Sequence, residues 1–191
     1  MRKVDIEVVD DFISPSYLEA IQIATRPASC PWYFQGSQSL TNYGDERIED
    51  YGFSVGLLPP WSPDKWDETP LSYLIRGIVL QIKDYAEADH ILRCRLDMTL
   101  HHSPPYIHPP HIDVAEKHVA SIIYVDNKTD GDTVIYDHQQ EWAESYPTDM
   151  KVKQRIAPKP GRMLLFDGSY VHTGYSPSEN QTRILINTVL S

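Results

Sequence analysis

The period of the hydrophobic pattern changes near residue 90. Before it, two stretches repeat apolar positions at helical spacing. Tyr17, Leu18 and Ile21 fall on one helical face, with Ser14 as a predicted N-cap and Pro15 at the first helical position. Leu71, Leu74, Ile75, Ile78 and Ile82 repeat in the same way to about Ala88, behind Thr69 and Pro70. Residues 4–9 read as a strand ahead of the first helix. Residues 26–66 are rich in Pro, Gly, Trp and Tyr, and read as loops with short strands near 32–34 and 53–57.

After residue 90 the chain breaks into short β-type runs separated by turn residues. The runs are 92–100, 118–125, 133–136, 151–156, 162–166 and 183–190, with a further turn and short strand around His172. Strands at this spacing predict a sandwich or barrel. Residues 127–132 carry Asn, Asp and Gly and read as a hairpin turn. Residues 137–150, with Trp142 and Tyr146, are too long for a tight turn and read as a lid or a solvated excursion. The expectation is an α+β, mainly β protein.

Composition narrows the function classes. At 191 residues the chain has the length of one domain with a sizeable core. We expect a single domain over 1–191, with helical and loop-rich support to about residue 90 and a β core from about 91. A net charge of −10 argues against a phosphate-tracking surface, because nucleic-acid binders cluster Lys and Arg. Cys30 and Cys94 are too few for a disulfide framework and fit a reducing compartment; Cys94 reads as a small buried residue. Residues 1–12 have no apolar core of a signal peptide, and no apolar run has membrane-spanning length. These readings lead us to expect a cytoplasmic protein without a membrane partner. Asn-x-Thr triplets at Asn127 and Asn180 read as chance.

One constellation carries chemistry. In His111-Ile112-Asp113 the two polar side chains are two residues apart, so a strand there projects both from one face. His172 is the candidate third ligand. Two imidazoles and a carboxylate with open positions suit non-haem Fe(II) and oxygen chemistry. Pro109-Pro110 stiffens the approach. On the last strand, Arg183, Leu185 and Asn187 share a face, so Arg183 is expected to point into the barrel. A buried cation there requires an anionic partner, and its planar fork matches a carboxylate.

These residues resemble the 2-oxoglutarate- and Fe(II)-dependent oxygenases, most closely the prolyl-4-hydroxylase-like branch. Asp10-Asp11-Phe12-Ile13-Ser14 is similar to the family's opening before its first helix. His111-x-Asp113 looks like its first two ligands. Residues 121–126 with Gly131-Asp132-Thr133 resemble its central strand and turn, and residues 160–166 the strand before the distal His. The resemblance implies a double-stranded β-helix, a jelly-roll or cupin-like barrel with supporting N-terminal helices. It implies Fe(II) at His111, Asp113 and His172, with 2-oxoglutarate as co-substrate and O2 as oxidant. It further implies that Arg183 anchors the distal carboxylate of 2-oxoglutarate and that Tyr124 hydrogen-bonds the same group. The implied activity is hydroxylation of a peptidyl proline, an amino acid or another small metabolite, with release of succinate and CO2. His101 stands where prolyl hydroxylases often carry a Tyr, and Gly131-Asp132 where Gly-Gly is usual, which puts a prolyl substrate in doubt.

Two other functions fit parts of the pattern. A non-catalytic cupin-type metal- or ligand-binding jelly roll has no need of an inward Arg183. A zinc-dependent hydrolase fits the same ligands but needs a general base, for which Glu116 is the candidate. Of the remaining histidines, His101 is a candidate for the pocket, while His102 and His108 read as solvated. Trp32, Tyr33 and Tyr43 are candidates for a substrate entrance or for packing over the barrel mouth.

Overall fold

The computed structural model describes residues 1–36, 51–58, 63–126, 130–141, 146–147 and 149–191. The elements in chain order are β1 (Ile6–Val9), α1 (Pro15–Ala24), β2 (Tyr33–Gln35), β3 (Gly52–Leu58), α2 (Pro70–Tyr85), β4 (Ile91–Leu100), β5 (Val119–Tyr124), β6 (Thr133–Gln139), β7 (Val152–Ile156), β8 (Met163–Asp167), β9 (Tyr170–Gly174) and β10 (Thr182–Leu190).

Period-2 patterning builds two antiparallel sheets from these strands. The larger runs β1-β8-β5-β10-β4-β3-β2, and the smaller runs β7-β6-β9. Three strands from the first 90 residues, β1, β2 and β3, therefore lie in the larger sheet. β10 sits between β5 and β4, with Leu185 opposite both Tyr124 and Asp97. Together the sheets form the double-stranded β-helix that the resemblance implies.

The outward face of the large sheet is covered by the helices. Ile75, Ile78, Val79 and Ile82 of α2 pack in one cluster with Cys94, Leu96, Met98, Ile123, Leu165 and Ile186. α2 begins with the Thr69 side chain accepting a hydrogen bond from Ser72 N, and it ends at Tyr85, ahead of Glu87 at φ 50. α1 departs from expectation at its start: Ser14 makes no side-chain cap, and Pro15 opens the helix without one. The two helices approach closely at Gly77, where a Cβ would lie 3.0 Å from the Tyr17 hydroxyl. That hydroxyl donates to the Leu74 carbonyl.

Inside the barrel a second cluster gathers Ala120, Ile122, Tyr124, Ile135, Leu164, Phe166 and Leu185. The same strands thus present alternate residues to two cores, as a sheet covered on both faces must. β6 continues to Gln139, into the segment expected to leave the barrel after residue 136. Of the 137–150 segment, residues 142–145 with Trp142, and residue 148, lie outside the described residues, as do Tyr43, Asn127 and the start of the predicted hairpin turn; Tyr146 is buried against Ile112 and Val171. No helix among the described residues is long and apolar enough to cross a membrane.

Ile78 is 1% exposed at the centre of the helix-to-sheet contact. Ile78→Ala should lower unfolding free energy by about 2–5 kcal/mol, through lost burial and the cavity left behind. Urea unfolding followed by circular dichroism checks this.

Candidate metal centre

The His111, Asp113 and His172 side chains converge although two of them are not on a strand. We expected a regular strand at 111–113. Instead His111 forms an isolated bridge to His172 on β9, and Asp113 lies in the bend that follows. The bridge has both of its hydrogen bonds, His111 N to His172 O at 2.9 Å and the reverse at 3.0 Å. It brings the two rings to 4.5 Å between centroids. One ligand atom from each of the three residues can be chosen so that all lie within 4.8 Å of one another, close enough to share a metal ion.

Hydrogen bonds set the histidine tautomers. His111 Nδ1 meets the Pro109 carbonyl at 3.0 Å, and His172 Nδ1 meets the Tyr170 carbonyl at 3.3 Å. A carbonyl only accepts, so each Nδ1 carries the proton and each Nε2 offers a lone pair. Burial pushes His172 down to about 3, with His111 beside it adding to the shift, and burial lowers His111 as well. Burial alone would raise the Asp113 carboxyl, but the Arg93 guanidinium beside it outweighs burial and holds the group far below the usual carboxylate range. Neutral imidazoles and an ionised carboxylate are the states a metal needs of its ligands. Asp113 Oδ2 is buried, has no hydrogen-bond partner among the described residues and lies 3.6 Å from His172 Nε2. A buried carboxylate oxygen facing two bare nitrogens fits a divalent cation between them.

Arg183 points inward as its strand position predicts, and is 6% exposed. Its Nη2 donates to Thr133 Oγ1 at 2.8 Å, and its guanidinium carbon lies 5.7 Å from the centre of the Tyr124 ring. Burial lowers its pKa, and it forms no ion pair among the described residues. Two glycines make its room. A Cβ on Gly174 would stand 3.3 Å from Arg183 Nη1, and one on Gly131, at φ 93, would stand 2.8 Å from Arg183 Cδ. Gly174 follows His172 by two residues on β9. A step of about 7 Å along the strand therefore separates the ligand level from the arginine level.

Tyr124 is buried beside this cavity and does not line it; its hydroxyl donates to Thr133 Oγ1 at 2.7 Å. Thr133 thus accepts from both Tyr124 and Arg183.

Several readings change. His108, expected to be solvated, is buried and lines the cavity, with its ring 5.0 Å from Tyr106. His101 is exposed and Glu116 is exposed away from the cavity, which removes the proposed base of a zinc hydrolase. Trp32 packs against the core, Tyr33 is exposed on edge strand β2, and neither lines the cavity. Sequence reasoning missed the inward face of β4. Arg95, Asp97 and Thr99 line the cavity, and Arg95 Nε donates to Asp97 Oδ2 at 2.9 Å. Arg93, one step further along that face, donates to Asp113 Oδ1. The alternation Arg93-Cys94-Arg95-Leu96-Asp97-Met98-Thr99 was visible, but such a pattern ordinarily marks a strand with its polar face in water.

Thr133→Val removes the acceptor shared by two buried donors and should lower stability by about 1–3 kcal/mol. Chemical denaturation of the metal-free protein measures it; an unchanged midpoint would mean that both donors find other partners.

Comparison with known proteins agrees with this geometry. The 2OG-Fe(II) oxygenase superfamily model matches residues 98–190, a span that holds His111, Asp113, Tyr124, His172 and Arg183. No match is found among curated proteins. A crystal structure of a 2OG-Fe(II) oxygenase family oxidoreductase from Burkholderia pseudomallei is 14% identical at TM-score 0.68, covering 97% of this chain and 84% of the other. A Pseudomonas putida prolyl-4-hydroxylase is 11% identical at TM-score 0.60, covering 98% and 93%. The epimerase SnoN in complex with Fe3+, alpha ketoglutarate and nogalamycin RO is 12% identical at TM-score 0.63, covering 99% and 79%. At these identities the structures show a shared fold. Residues 98–190 of this chain thus match the 2OG-Fe(II) oxygenase superfamily, and the chain as a whole shares the fold of these solved oxygenase structures.

Proposed function

We propose that residues 1–191 act as one 2-oxoglutarate- and Fe(II)-dependent dioxygenase domain that hydroxylates a small molecule or peptide, releasing succinate and CO2. The carrying observation is a buried His-Asp-His cluster in the same cavity as a buried arginine that has no carboxylate partner among the described residues. An unpaired buried cation is unfavourable unless a ligand supplies the anion. A five-carbon dicarboxylate spans the step from the ligand level to Arg183.

His111 Nε2, His172 Nε2 and Asp113 Oδ2 would hold Fe(II). When bound with 2-oxoglutarate, the metal supplies the O2 activation that no amino-acid side chain can provide. Arg183 takes the distal carboxylate of the co-substrate through its fork. Thr133 fixes one side of that fork and the Tyr124 ring supports its face, which is the role we give Tyr124. The buried inner faces of the sheets limit solvent around the cavity, strengthening each electrostatic contact. A non-catalytic metal-binding jelly roll would leave the buried Arg183 unexplained.

The substrate reading stays broad. A net charge of −10 argues against nucleic acid, and an exposed His101 in place of a pocket tyrosine argues against a prolyl hydroxylase mode. Two buried, unbridged cysteines support a reducing, cytoplasmic setting.

Anaerobic titration of the Fe(II) protein with 2-oxoglutarate should give the weak visible band of the metal–keto-acid chelate. Arg183→Ala should weaken 2-oxoglutarate binding at least tenfold with little change in metal affinity; equal affinity in that variant rules out the anchor. His111→Ala and His172→Ala should each abolish Fe(II) binding by calorimetry and any 2-oxoglutarate turnover. Retained binding in either removes that residue from the ligand set.

A further inference from the structure

The carboxylate of the metal cluster is gripped by a cation that lies outside the matched family span. Arg93 stands on the inward face of β4 and is 6% exposed. Its Nη2 donates to Asp113 Oδ1 and, at 2.9 Å, to Asn187 Oδ1 on β10. Its Nη1 faces the Asp113 backbone carbonyl at 3.4 Å. The guanidinium therefore engages the side chain and main chain of one ligand residue, and Asn187 ties it to the neighbouring strand. Asp113 needs such support, because it lies in a bend and has no strand partner of its own.

The two oxygens of Asp113 are left unequal. Oδ1 accepts the arginine, while Oδ2 is buried with no hydrogen-bond partner among the described residues and lies 3.6 Å from His172 Nε2. We infer that Arg93 is a positioning residue that occupies Oδ1 of Asp113 and so makes the carboxylate a one-oxygen ligand through Oδ2. The inference rests on the metal centre proposed above.

The consequence is in the number of open positions. A carboxylate can bind a metal through one oxygen or both. In an octahedral site, one-oxygen ligation by Asp113 with two histidines leaves three positions open, enough for a chelating keto acid and O2. Two-oxygen ligation would close one of them. For Oδ1 to reach the metal it must leave a charge-assisted bond in a buried site, and the nitrogen that makes that bond is also held by Asn187. A planar guanidinium suits this task, since its Nη2 meets both Oδ1 and Asn187 while Nη1 faces the Asp113 carbonyl, all from one fixed plane.

The test uses Arg93→Met, with Arg93→Gln as the alternative if the Met variant fails to fold, and near-UV circular dichroism as the check of folding. Two readouts are taken: the visible spectrum of the Co(II)-loaded protein and the affinity of the Mn(II)-loaded protein for 2-oxoglutarate. The expected result is a bound Co(II) ion with weaker visible absorption, as a further oxygen raises its coordination, and 2-oxoglutarate affinity lowered by about tenfold or more, the scale of lost outer support at a metal site. A folded variant with the wild-type Co(II) spectrum and wild-type 2-oxoglutarate affinity overturns the inference, even if its melting temperature falls. Loss of Co(II) binding by a folded variant also overturns it, since Arg93 would then keep Asp113 within reach and not choose between its oxygens. Absence of the Fe(II)–2-oxoglutarate band in the wild type would instead sink the oxygenase reading itself.

Discussion

Arg93, Arg95, Asp97 and Thr99 follow one another along the inner face of β4, in a sheet whose outer face is sealed by α2. Both faces of that strand are largely covered, so its polar groups are best satisfied by one another or by a ligand. Arg95 meets Asp97, and Arg93 meets Asp113 and Asn187. This constraint shapes the cavity. It turns a row of charges that would be incidental on a solvated sheet into a lining with fixed directions. It also explains why the apolar partners Cys94, Leu96 and Met98 face the helices: they supply the burial that holds the strand in place.

Arg183 follows from the same constraint on the adjacent strand. β10 alternates in step with β4 and shares its inner face, so Arg183 stands opposite Thr99 and Asn187 opposite Arg95. Arg183 differs from Arg93 and Arg95 in forming no ion pair among the described residues. Thr133 and the Tyr124 ring orient it without neutralising it, and Gly131 and Gly174 leave space around it. A scaffold that is rigid on both sides and leaves one cation uncompensated is prepared for an anion.

The metal cluster is built by a different device. His172 belongs to a regular strand, whereas His111 and Asp113 belong to an approach segment tied to β9 by the two-bond bridge at His111 and by hydrogen bonds at His108. Carbonyls at Pro109 and Tyr170 turn the two imidazoles so that Nε2 faces inward, and Arg93 turns the carboxylate. The local chain thus contributes short, polar fixings where the sheet contributes none, consistent with function placed on a loop held by a rigid barrel.

The amino-acid sequence by itself determined the elements with strong periodicity. α2 and strands β4, β5, β8 and β10 are legible because alternate or helical apolar positions have only one way to be buried. It also determined the ligand types: His111, Asp113, His172 and Arg183 stand out because their chemistry is scarce in β-type surroundings. Only the tertiary structure decided which polar face turned inward. The alternation on β4 is the same whether its polar side meets water or a barrel interior, so Arg93, Arg95 and Asp97 carried no signal of their role. His108 was misread for the same reason, since a Pro-flanked histidine in an approach segment is buried only by what folds over it. Asp113 shows the limit most sharply. Its identity as a ligand was readable from His-x-Asp, but the unequal use of its two oxygens depends on an arginine 20 residues earlier and an asparagine 94 residues after that arginine, and only packing brings them together.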